Sequence, residues 1–388
     1  MPKTKIMRTI NLSWLFISLL FFLSCELNQE RDLTTPPLDD DDHTSVSNFI
    51  RGGDLSYVNE MLDCGATYYN NRGIAQDPYQ QFAQAGTDLA RFRLWHNPEW
   101  TDYSTYPDVK KALARAKREG MPVLLDFHYS DDWADPGRQH VPAAWLPVVD
   151  DTQTLGDSLY KYTYQILTDL AQSDLLPEYV QVGNEINIEI LQDPTRNYNL
   201  NWTRNAQLIN RGLQAVRDVS DEQGADIQIM LHIAQPENAL WWFKEATQNG
   251  ILDYDWIAIS YYPQWSDYTL GSLAGAISAL VNTYDKRVMV VETAYPYTLE
   301  NIDAAGNILG KSALIDGYPA SEDGQYQYLI DLEEAIKKGG GEGLIYWEPA
   351  WVSTSCGTQW GQGSHWDNAT LFDHSNIAIK GMTYFSKD

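Results

Sequence analysis

The sequence predicts a single (β/α)8 barrel, the TIM-barrel class of α/β fold, with long loops at the carboxyl-terminal face. Eight short apolar runs alternate with amphipathic helical stretches, which is typical of parallel strands joined by helices. No linker and no internal repeat interrupts the chain after residue 47, so we assign residues 48–388 to one domain. The predicted strands are Asn48–Asp54, Asp88–Trp95, Pro122–His128, Tyr179–Asn184, Ile227–Ile233, Trp256–Tyr262, Val288–Thr293 and Gly343–Glu348.

The clearest helical interval is Pro107–Arg118. Proline suits the first turn of a helix, and Gly120 follows as a stop signal. Its apolar residues recur at the spacing of one helix face: Val109, Ala112, Leu113 and Ala116.

Composition narrows the class of ligand. The 388 residues include 53 Asp and Glu against 27 Lys and Arg, for a formal net charge of −26. Such a protein repels nucleic-acid phosphates and anionic lipid headgroups, so we expect no nucleic-acid partner. The 14 tryptophans and 24 tyrosines favour a neutral sugar ligand, because their flat rings stack on sugar faces. A monomer is the default expectation.

The first 24 residues are predicted to be a lipoprotein signal peptide. A basic segment precedes the apolar run Trp14–Leu23, which at ten residues is too short to span a bilayer. The run closes on Ser24-Cys25, which resembles the lipobox of bacterial lipoproteins. That resemblance implies cleavage before Cys25 and acylation of its thiol. An ordinary secretory signal with an incidental cysteine is the alternative.

Residues 25–47 are predicted to be the acylated cysteine and a flexible acidic tether. Pro36-Pro37 stiffens this stretch, and the run Asp39–Asp42 prevents it from forming a core. We therefore expect an exported protein held at the membrane only by its lipid anchor, on the outer membrane at the cell surface.

Two further cysteines, Cys64 and Cys356, lie in the predicted domain. In an oxidising compartment they could pair, and two separate buried thiols are the alternative. Neither lies at a Cys-His spacing typical of a zinc site.

Polar side chains stand at the carboxyl ends of almost all the predicted strands. These ends share one rim in a parallel barrel, where barrel active sites are built. Glu185 follows the fourth strand and Glu292 lies in the seventh, so both should project into one mouth. Glycosidic cleavage needs such a pair, because one carboxyl group protonates the leaving oxygen. The second carboxylate attacks the sugar directly when the two carboxyl groups are about 5 Å apart. Two ordinary salt-bridged glutamates are the alternative.

Longer motifs make a family resemblance specific. Gly183–Glu185 and Val291–Thr293, at the ends of strands four and seven, resemble the retaining glycoside hydrolases of clan A. Further motifs resemble family 53, the endo-β-1,4-galactanases: Arg91–Trp95 (RFRLW), Asp126–Asp131 (DFHYSD), Trp133–Pro136 (WADP) and Tyr346–Trp351 (YWEPAW). The resemblance covers residues 49–385. It implies hydrolysis of β-1,4-galactan, including pectic galactan and arabinogalactan, by double displacement without a cofactor.

Carried over position by position, the resemblance makes Glu185 the general acid/base and Glu292 the nucleophile. Asn184 would hydrogen-bond the 2-hydroxyl of the sugar under attack. Arg91 and Tyr262 match the positions that keep the nucleophile ionised and oriented.

Two alternatives concern the role assigned to Arg91. Arg93 lies two residues from Arg91 on the same strand face and could fill its role. A structural ion pair inside the barrel is the other possibility for Arg91.

The resemblance also implies a central subsite lined by Asp54, Asp126, His128, His232, Tyr295 and Trp347, with Trp347 as the floor on which a sugar ring stacks. The two histidines could instead be buried core residues, and Asp126 with His128 could mimic a metal pair, although a retaining mechanism needs no catalytic metal. Six other tryptophans are candidate sugar platforms or loop braces: Trp133, Trp145, Trp265, Trp351, Trp360 and Trp366.

A structural calcium ion is a further expectation. The stretch 301–307 carries oxygen side chains at alternate positions, which suits calcium, and bacterial members of the family carry a calcium between the loops concerned. Ala305 departs from that pattern, and an Asx-rich surface loop is the alternative. The candidate ligands are Asp303, Asn307, Ser364 and Asp367.

Two other functions remain as alternatives. The first is another clan A β-1,4-glycanase, such as a β-mannanase. The second is a surface lipoprotein that binds glycan without cutting it. A binder would need neither Glu185 nor Glu292, so their presence beside Asn184 favours an enzyme.

Overall fold

The computed structural model describes residues 49–386, in which eight parallel strands close into a barrel in chain order. Pairing of the first strand with the last completes the closure, with Gly52 opposite Ile345. The (β/α)8 prediction is confirmed. The strands are β1 Ile50–Asp54, β2 Leu89–Leu94, β3 Val123–Phe127, β4 Tyr179–Val182, β5 Gln228–Ala234, β6 Trp256–Ser260, β7 Arg287–Thr293 and β8 Gly343–Tyr346.

Helices lie between consecutive strands throughout the described part of the chain. Two short helices connect β1 to β2, and one long helix precedes each later strand. They are α1 Val58–Asp63, α2 Pro78–Ala85, α3 Tyr106–Arg118, α4 Thr152–Ala171, α5 Trp202–Gln223, α6 Pro236–Gln248, α7 Leu270–Tyr284 and α8 Glu322–Lys338. Helix α3 buries all four residues predicted for its inner face.

The core has two layers, and β2 shows how the sequence builds them. Ala90, Phe92 and Leu94 alternate outward into the large apolar layer between strands and helices. Leu89 points inward into a small apolar plug inside the barrel, and Arg91 follows it on the same face. The barrel interior is therefore apolar at its amino-terminal end and polar at its carboxyl-terminal end.

Long loops rise from the carboxyl ends of the strands. Loop 7 (residues 294–321) connects β7 to α8, and loop 8 (residues 347–379) follows β8. Loop 8 contains a small hairpin formed by β9 Gly357–Thr358 and β10 Gly361–Gln362. A disulfide joins Cys64 to Cys356, directly before this hairpin, which settles the question that the sequence left open.

The predicted signal peptide, Cys25 and the acidic tether lie outside the described residues. The chain divides into units 1–46 and 47–388, and the described residues belong to the second. Within residues 49–386, no helix has the length and apolar character that crossing a bilayer requires.

Candidate active site

A cleft of about 500 Å³ opens at the carboxyl ends of the strands. Its wall combines charged side chains with tryptophans, as expected for a site that binds a sugar chain. Lining side chains include Asp54, Arg91, Arg93, His128, Trp133, Asp135, Asn184, Glu185, Tyr262, Trp265, Glu292, Trp347, Trp351, Trp360 and Trp366.

A tight turn after β4 presents Glu185 to the cleft. Glu185 has a φ of 44°, and Gly183 has a φ of 89°. A Cβ atom on Gly183 would lie 2.5 Å from Cγ2 of Ile186, so only glycine fits there. The Gln139 side chain donates hydrogen bonds to the carbonyls of Asn184 and Glu185 at 2.8 and 3.1 Å. The turn is thus held in a conformation that a non-glycine residue adopts only under constraint.

The carboxyl group of Glu185 accepts a hydrogen bond from Ser260 Oγ at 2.6 Å. Burial raises the pKa of Glu185 to about 7, although the Ser260 bond opposes the shift. At this pKa the group can be protonated near neutrality, as a general acid requires.

Glu292 reaches the cleft because of a β-bulge. On β7, Met289 and Val291 point into the barrel plug and Val290 points outward, so strict alternation would turn Glu292 outward as well. The pairing register with β6 shifts between Ile259 and Ser260, and Ser260 pairs with Glu292 instead of Val291. The extra residue re-aims the glutamate into the cleft.

Arg91 is the cation that faces Glu292. Its Nη2 lies 2.8 Å from Glu292 Oε1 and 2.9 Å from Asp126 Oδ2, and its Nη1 lies 2.6 Å from Asp54 Oδ2. Burial opposes its charge, but the three carboxylates together raise the pKa of Arg91 above its usual value. Arg91 therefore makes both the predicted contact with the second glutamate and the structural ion pairs that were the alternative.

Burial raises the pKa of Glu292, and the nearby Glu185 raises it further, whereas Arg91 opposes both effects. The charges of the two glutamates are thus coupled across the cleft. Arg91 is the contact that favours the ionised form of Glu292.

Asn184 and Tyr262 both line the cleft. The amide of Asn184 is fixed at both ends, since Oδ1 accepts from Arg91 Nη2 and Nδ2 donates to the carbonyl of Ala134, each at 2.8 Å. Burial, reinforced by the charge of Glu292, raises the pKa of Tyr262 well above its usual value. Its hydroxyl therefore stays protonated and can donate a hydrogen bond.

The six side chains predicted to line the central subsite divide into two groups. Asp54, His128 and Trp347 line the cleft. Asp126, His232 and Tyr295 have no exposed surface and are not among the lining side chains.

The three buried side chains are held by other protein groups. Asp126 accepts hydrogen bonds from Arg91 and Gln181, and His232 contacts Ser260 and Asn184. The hydroxyl of Tyr295 donates to the carbonyl of Tyr318 at 2.7 Å. The assignment of these three residues to the sugar subsite stays a prediction.

His128 is tied to the protein at both ring nitrogens. Its Nε2 lies 3.1 Å from Asp126 Oδ2, and Nδ1 accepts a hydrogen bond from the backbone N–H of Ala134 at 3.2 Å. Burial lowers the pKa of His128, which favours the neutral ring. Asp126 and His128 are thus engaged in hydrogen bonds within the protein. Within residues 49–386, no group of three or more His, Cys, Asp or Glu side chains is arranged to hold a metal ion.

Tryptophans form one side of the cleft. The Trp347 ring packs at 4.6 Å from Trp366 and 6.2 Å from Trp133, which lies 6.2 Å from Trp360. Trp265 and Trp360 are each 52% exposed, so their faces are open to a ligand. Trp145 is a loop brace, because its ring packs against His96 and Tyr162 and lies outside the lining.

The four proposed calcium ligands lie together where loops 7 and 8 meet. Asp303 Oδ2 accepts hydrogen bonds from Ser353 Oγ at 2.6 Å and from the N–H of Ser364 at 2.7 Å. Asn307 Nδ2 donates to Asp367 Oδ1 at 2.7 Å. The structure thus brings the predicted ligands to one place, where protein hydrogen bonds already join the two loops.

Sequence reasoning missed Gln181 and Ser260, two buried polar residues that contact the side chains around the cleft. Gln181 Nε2 donates to Asp126 Oδ1 at 2.7 Å, and Ser260 contacts Glu185. Both are fully buried inside the barrel. A polar residue inside an otherwise apolar strand was the signal that could have identified them, since buried polar groups require partners.

Comparison with known proteins agrees with this geometry. The family model for glycosyl hydrolase family 53 matches residues 50–385. An arabinogalactan endo-β-1,4-galactanase of Cellvibrio japonicus is 56% identical over 344 residues, covering 88% of this chain and 91% of the relative. An endo-β-1,4-galactanase of Bacillus subtilis is 39% identical over 378 residues, covering 87% and 85%.

The solved catalytic domain of a family 53 protein from Ignisphaera aggregans superimposes with a TM-score of 0.79 at 32% identity, covering 87% of this chain and 96% of that domain. The match by sequence and the match by structure both extend over the whole barrel. The chain therefore belongs to glycosyl hydrolase family 53.

Proposed function

We propose that this protein is an endo-acting glycoside hydrolase that cleaves β-1,4-galactan, including the galactan of arabinogalactan. One observation carries the chemistry: Glu185 and Glu292 line the same open cleft, one bonded to a hydroxyl and the other to a guanidinium. The named activity of the relatives at 56% and 39% identity supports the choice of sugar.

In the proposed mechanism, Glu292 attacks the anomeric carbon while Glu185 protonates the departing glycosidic oxygen. A glycosyl ester on Glu292 results, and the chain on the leaving side departs. Glu185, now a carboxylate, removes a proton from water, which attacks the same carbon and releases the sugar with net retention. No metal or cofactor takes part in these steps.

The neighbouring groups have separate tasks. Arg91 favours the ionised form of Glu292, and Tyr262 offers a protonated hydroxyl beside it in the cleft. Asn184, oriented by Arg91, would contact the 2-hydroxyl of the sugar under attack, where a hydrogen bond strengthens in the transition state. Trp347 would stack on the sugar ring.

The test is reducing-sugar release from unbranched β-1,4-galactan, beside β-mannan and cellulose, with product sizes followed over time. Early mid-length products from galactan alone support the proposal. Cleavage of mannan or cellulose instead would keep the glutamate chemistry and overturn the sugar. Tight binding without cleavage would indicate a glycan-binding protein.

We further propose a structural calcium ion between loops 7 and 8. Carboxylate and amide oxygens are the ligands that calcium prefers. Asp303 and Asp367 supply two carboxylates, and the buried Oδ1 of Asn307 has no hydrogen-bond partner among the described residues. Gly363 leaves room for Asp303, because a Cβ there would lie 2.2 Å from its Oδ2. The ion would brace the loop that carries Trp360 and Trp366.

A lipid anchor on Cys25 is the third part of the proposal. The run Trp14–Leu23 followed by Ser24-Cys25, and the acidic stretch after it, support export and display at the cell surface. Metabolic labelling with a radioactive fatty acid tests it. Label that is lost in Cys25→Ser supports the anchor, and equal labelling or none in both proteins contradicts it.

A further inference from the structure

Ser260 lies between the proposed acid/base and a buried histidine. It is the last residue of β6 and is fully buried. Its Oγ lies 2.6 Å from Glu185 Oε1 and 2.8 Å from His232 Nε2. A serine hydroxyl has one proton to donate, so the two contacts cannot both be donations from serine.

The surroundings of His232 determine the direction of these bonds. Gln181 Nε2 lies 2.8 Å from His232 Nδ1 and 2.7 Å from the acceptor Asp126 Oδ1, while Gln181 Oε1 accepts from Arg91 Nε at 3.3 Å. These contacts fix Nε2 of Gln181 as the donor, so His232 Nδ1 is an acceptor. The backbone N–H of Glu185, 3.4 Å from the same Nδ1, is a second donor.

One contact competes with this assignment. Asn184 Oδ1 lies 3.0 Å from His232 Nδ1 and could accept a proton from it. That oxygen already accepts a hydrogen bond from Arg91 Nη2 at 2.8 Å. Gln181 Nε2, by contrast, is an amide nitrogen and can only donate. The neutral histidine therefore carries its proton on Nε2 and donates it to Ser260 Oγ. Burial, followed by the charge of Arg91, lowers the pKa of His232 well below its usual value, which agrees with a neutral ring.

We propose that Ser260, oriented by His232, is the positioning residue that keeps the catalytic proton of Glu185 on Oε2. Because the serine accepts from His232, its own proton points to Glu185 Oε1, which must then remain an acceptor. The proton that Glu185 delivers can reside only on the other oxygen, which is free to meet the leaving group. The inference rests on the proposed function, since it concerns the acid/base of that reaction.

The same bond affects the charge balance of Glu185. Several groups face this carboxyl from other elements: Arg91 on β2, Asp126 on β3, Asp135 in the loop after β3, His232 on β5, Tyr262 after β6 and Glu292 on β7. Burial, Asp135 and Asp126 favour the protonated form, and Arg91 favours the carboxylate. The Ser260 hydroxyl also stabilises the carboxylate, which is the form that must activate water in the second step.

The experiment compares pH profiles of kcat/KM for the wild-type full chain, Ser260→Ala and Ser260→Thr on galactan. Removing the Ser260 hydroxyl should shift the basic limb of the profile to higher pH by about one unit. It should also lower kcat/KM at neutral pH about tenfold. Threonine keeps the hydroxyl and should restore the wild-type profile. Ser173→Ala, which removes an exposed serine hydroxyl from the turn after α4, is the matched control and should change nothing.

A second substrate separates positioning from general damage. A dinitrophenyl β-1,4-galactobioside has a leaving group that needs no protonation, so Ser260→Ala should form the glycosyl enzyme from it at nearly the wild-type rate. An unmoved basic limb in Ser260→Ala, with its melting temperature intact, would overturn the inference. If Ser260→Ala does not fold, Ser260→Cys keeps the shape with a weaker donor and should shift the limb in the same direction.

These results are distinguishable from failure of the proposed function. If the wild-type chain cleaves another glycan, the same profiles on that glycan still test Ser260. A wild-type chain that cleaves nothing overturns both proposals.

Discussion

Arg91 Nη2 contacts Glu292 Oε1 at 2.8 Å while the same guanidinium binds Asp54 and Asp126. The arginine thus contacts one carboxylate that lines the cleft and two that hold the arginine in place. A residue in this position couples the electrostatics of the reaction to the stability of the barrel interior, because removing a buried partner leaves the other charges uncompensated.

Replacing Arg91 should therefore cost both activity and stability. Arg91→Lys keeps the positive charge, but lysine lacks the planar guanidinium that contacts several carboxylates at once. We therefore expect kcat/KM to fall about 100-fold and the melting temperature to drop. Arg196→Lys is the control, because its ion pair with Asp150 is exposed and such pairs contribute little. Kinetics and thermal unfolding measure the two effects. Equal behaviour of the two variants would contradict the account.

Glu185→Gln and Glu292→Gln should each fold normally and lose nearly all hydrolysis of galactan. We expect a loss of about 10²–10⁴-fold for the acid/base and at least as much for the nucleophile. Azide should restore cleavage of the dinitrophenyl substrate by Glu185→Gln, since that variant still forms the glycosyl enzyme but lacks its base. Either variant with near wild-type rates would show that its assigned role is wrong.

The pKa of Glu185 predicts the basic limb of the activity profile. Because burial raises this pKa to about 7, the protonated acid is lost as pH rises, and kcat/KM should fall above about pH 7. The effect on stability has a defined sign. Between the usual carboxyl pKa and about 7 the folded state binds more protons than the unfolded state, so unfolding becomes easier as pH rises through that window. Glu185→Gln should weaken this dependence, and a pH-stability curve identical to wild type would contradict it.

The disulfide Cys64–Cys356 should stabilise both the fold and the Trp360 hairpin. It links residues 292 positions apart in the unfolded chain, so the double variant to serine should lose roughly 2–5 kcal/mol of unfolding free energy. The hairpin brings Trp360 to 6.2 Å from Trp133. The double variant should therefore lose more activity on long galactan than on short oligosaccharides. Proportional losses on both would indicate a purely structural bridge.

A chelator should lower the melting temperature if calcium binds between loops 7 and 8, and added calcium should restore it. Asp303→Ala should abolish the response to calcium. Asp316→Ala is the matched control, because Asp316 is an exposed acid of the same loop. A melting temperature that does not respond to chelator in the wild-type chain would exclude the ion.

The barrel and both glutamates could be predicted from sequence because their signals are local. Each strand is a short apolar run, and Glu185 directly follows one. The orientation of Glu292 could not be derived from alternation, which would have turned it outward, because the bulge depends on pairing with the neighbouring strand. The contact of the Tyr295 hydroxyl with the carbonyl of Tyr318 could not be predicted either, because the two residues are 23 positions apart in the chain. The role of Ser260 likewise depends on contacts with residues 28 and 75 positions away.

The most direct test of the account is to trap the covalent intermediate. A 2-deoxy-2-fluoro β-1,4-galactobioside with a dinitrophenyl leaving group should inactivate the wild-type protein, since the fluorine slows the second step more than the activated first step. Mass spectrometry of the digested protein should then find one glycosyl group on the peptide that carries Glu292, and none in Glu292→Gln. A label on another residue, or turnover with no labelled protein and inverted product, would contradict the double displacement.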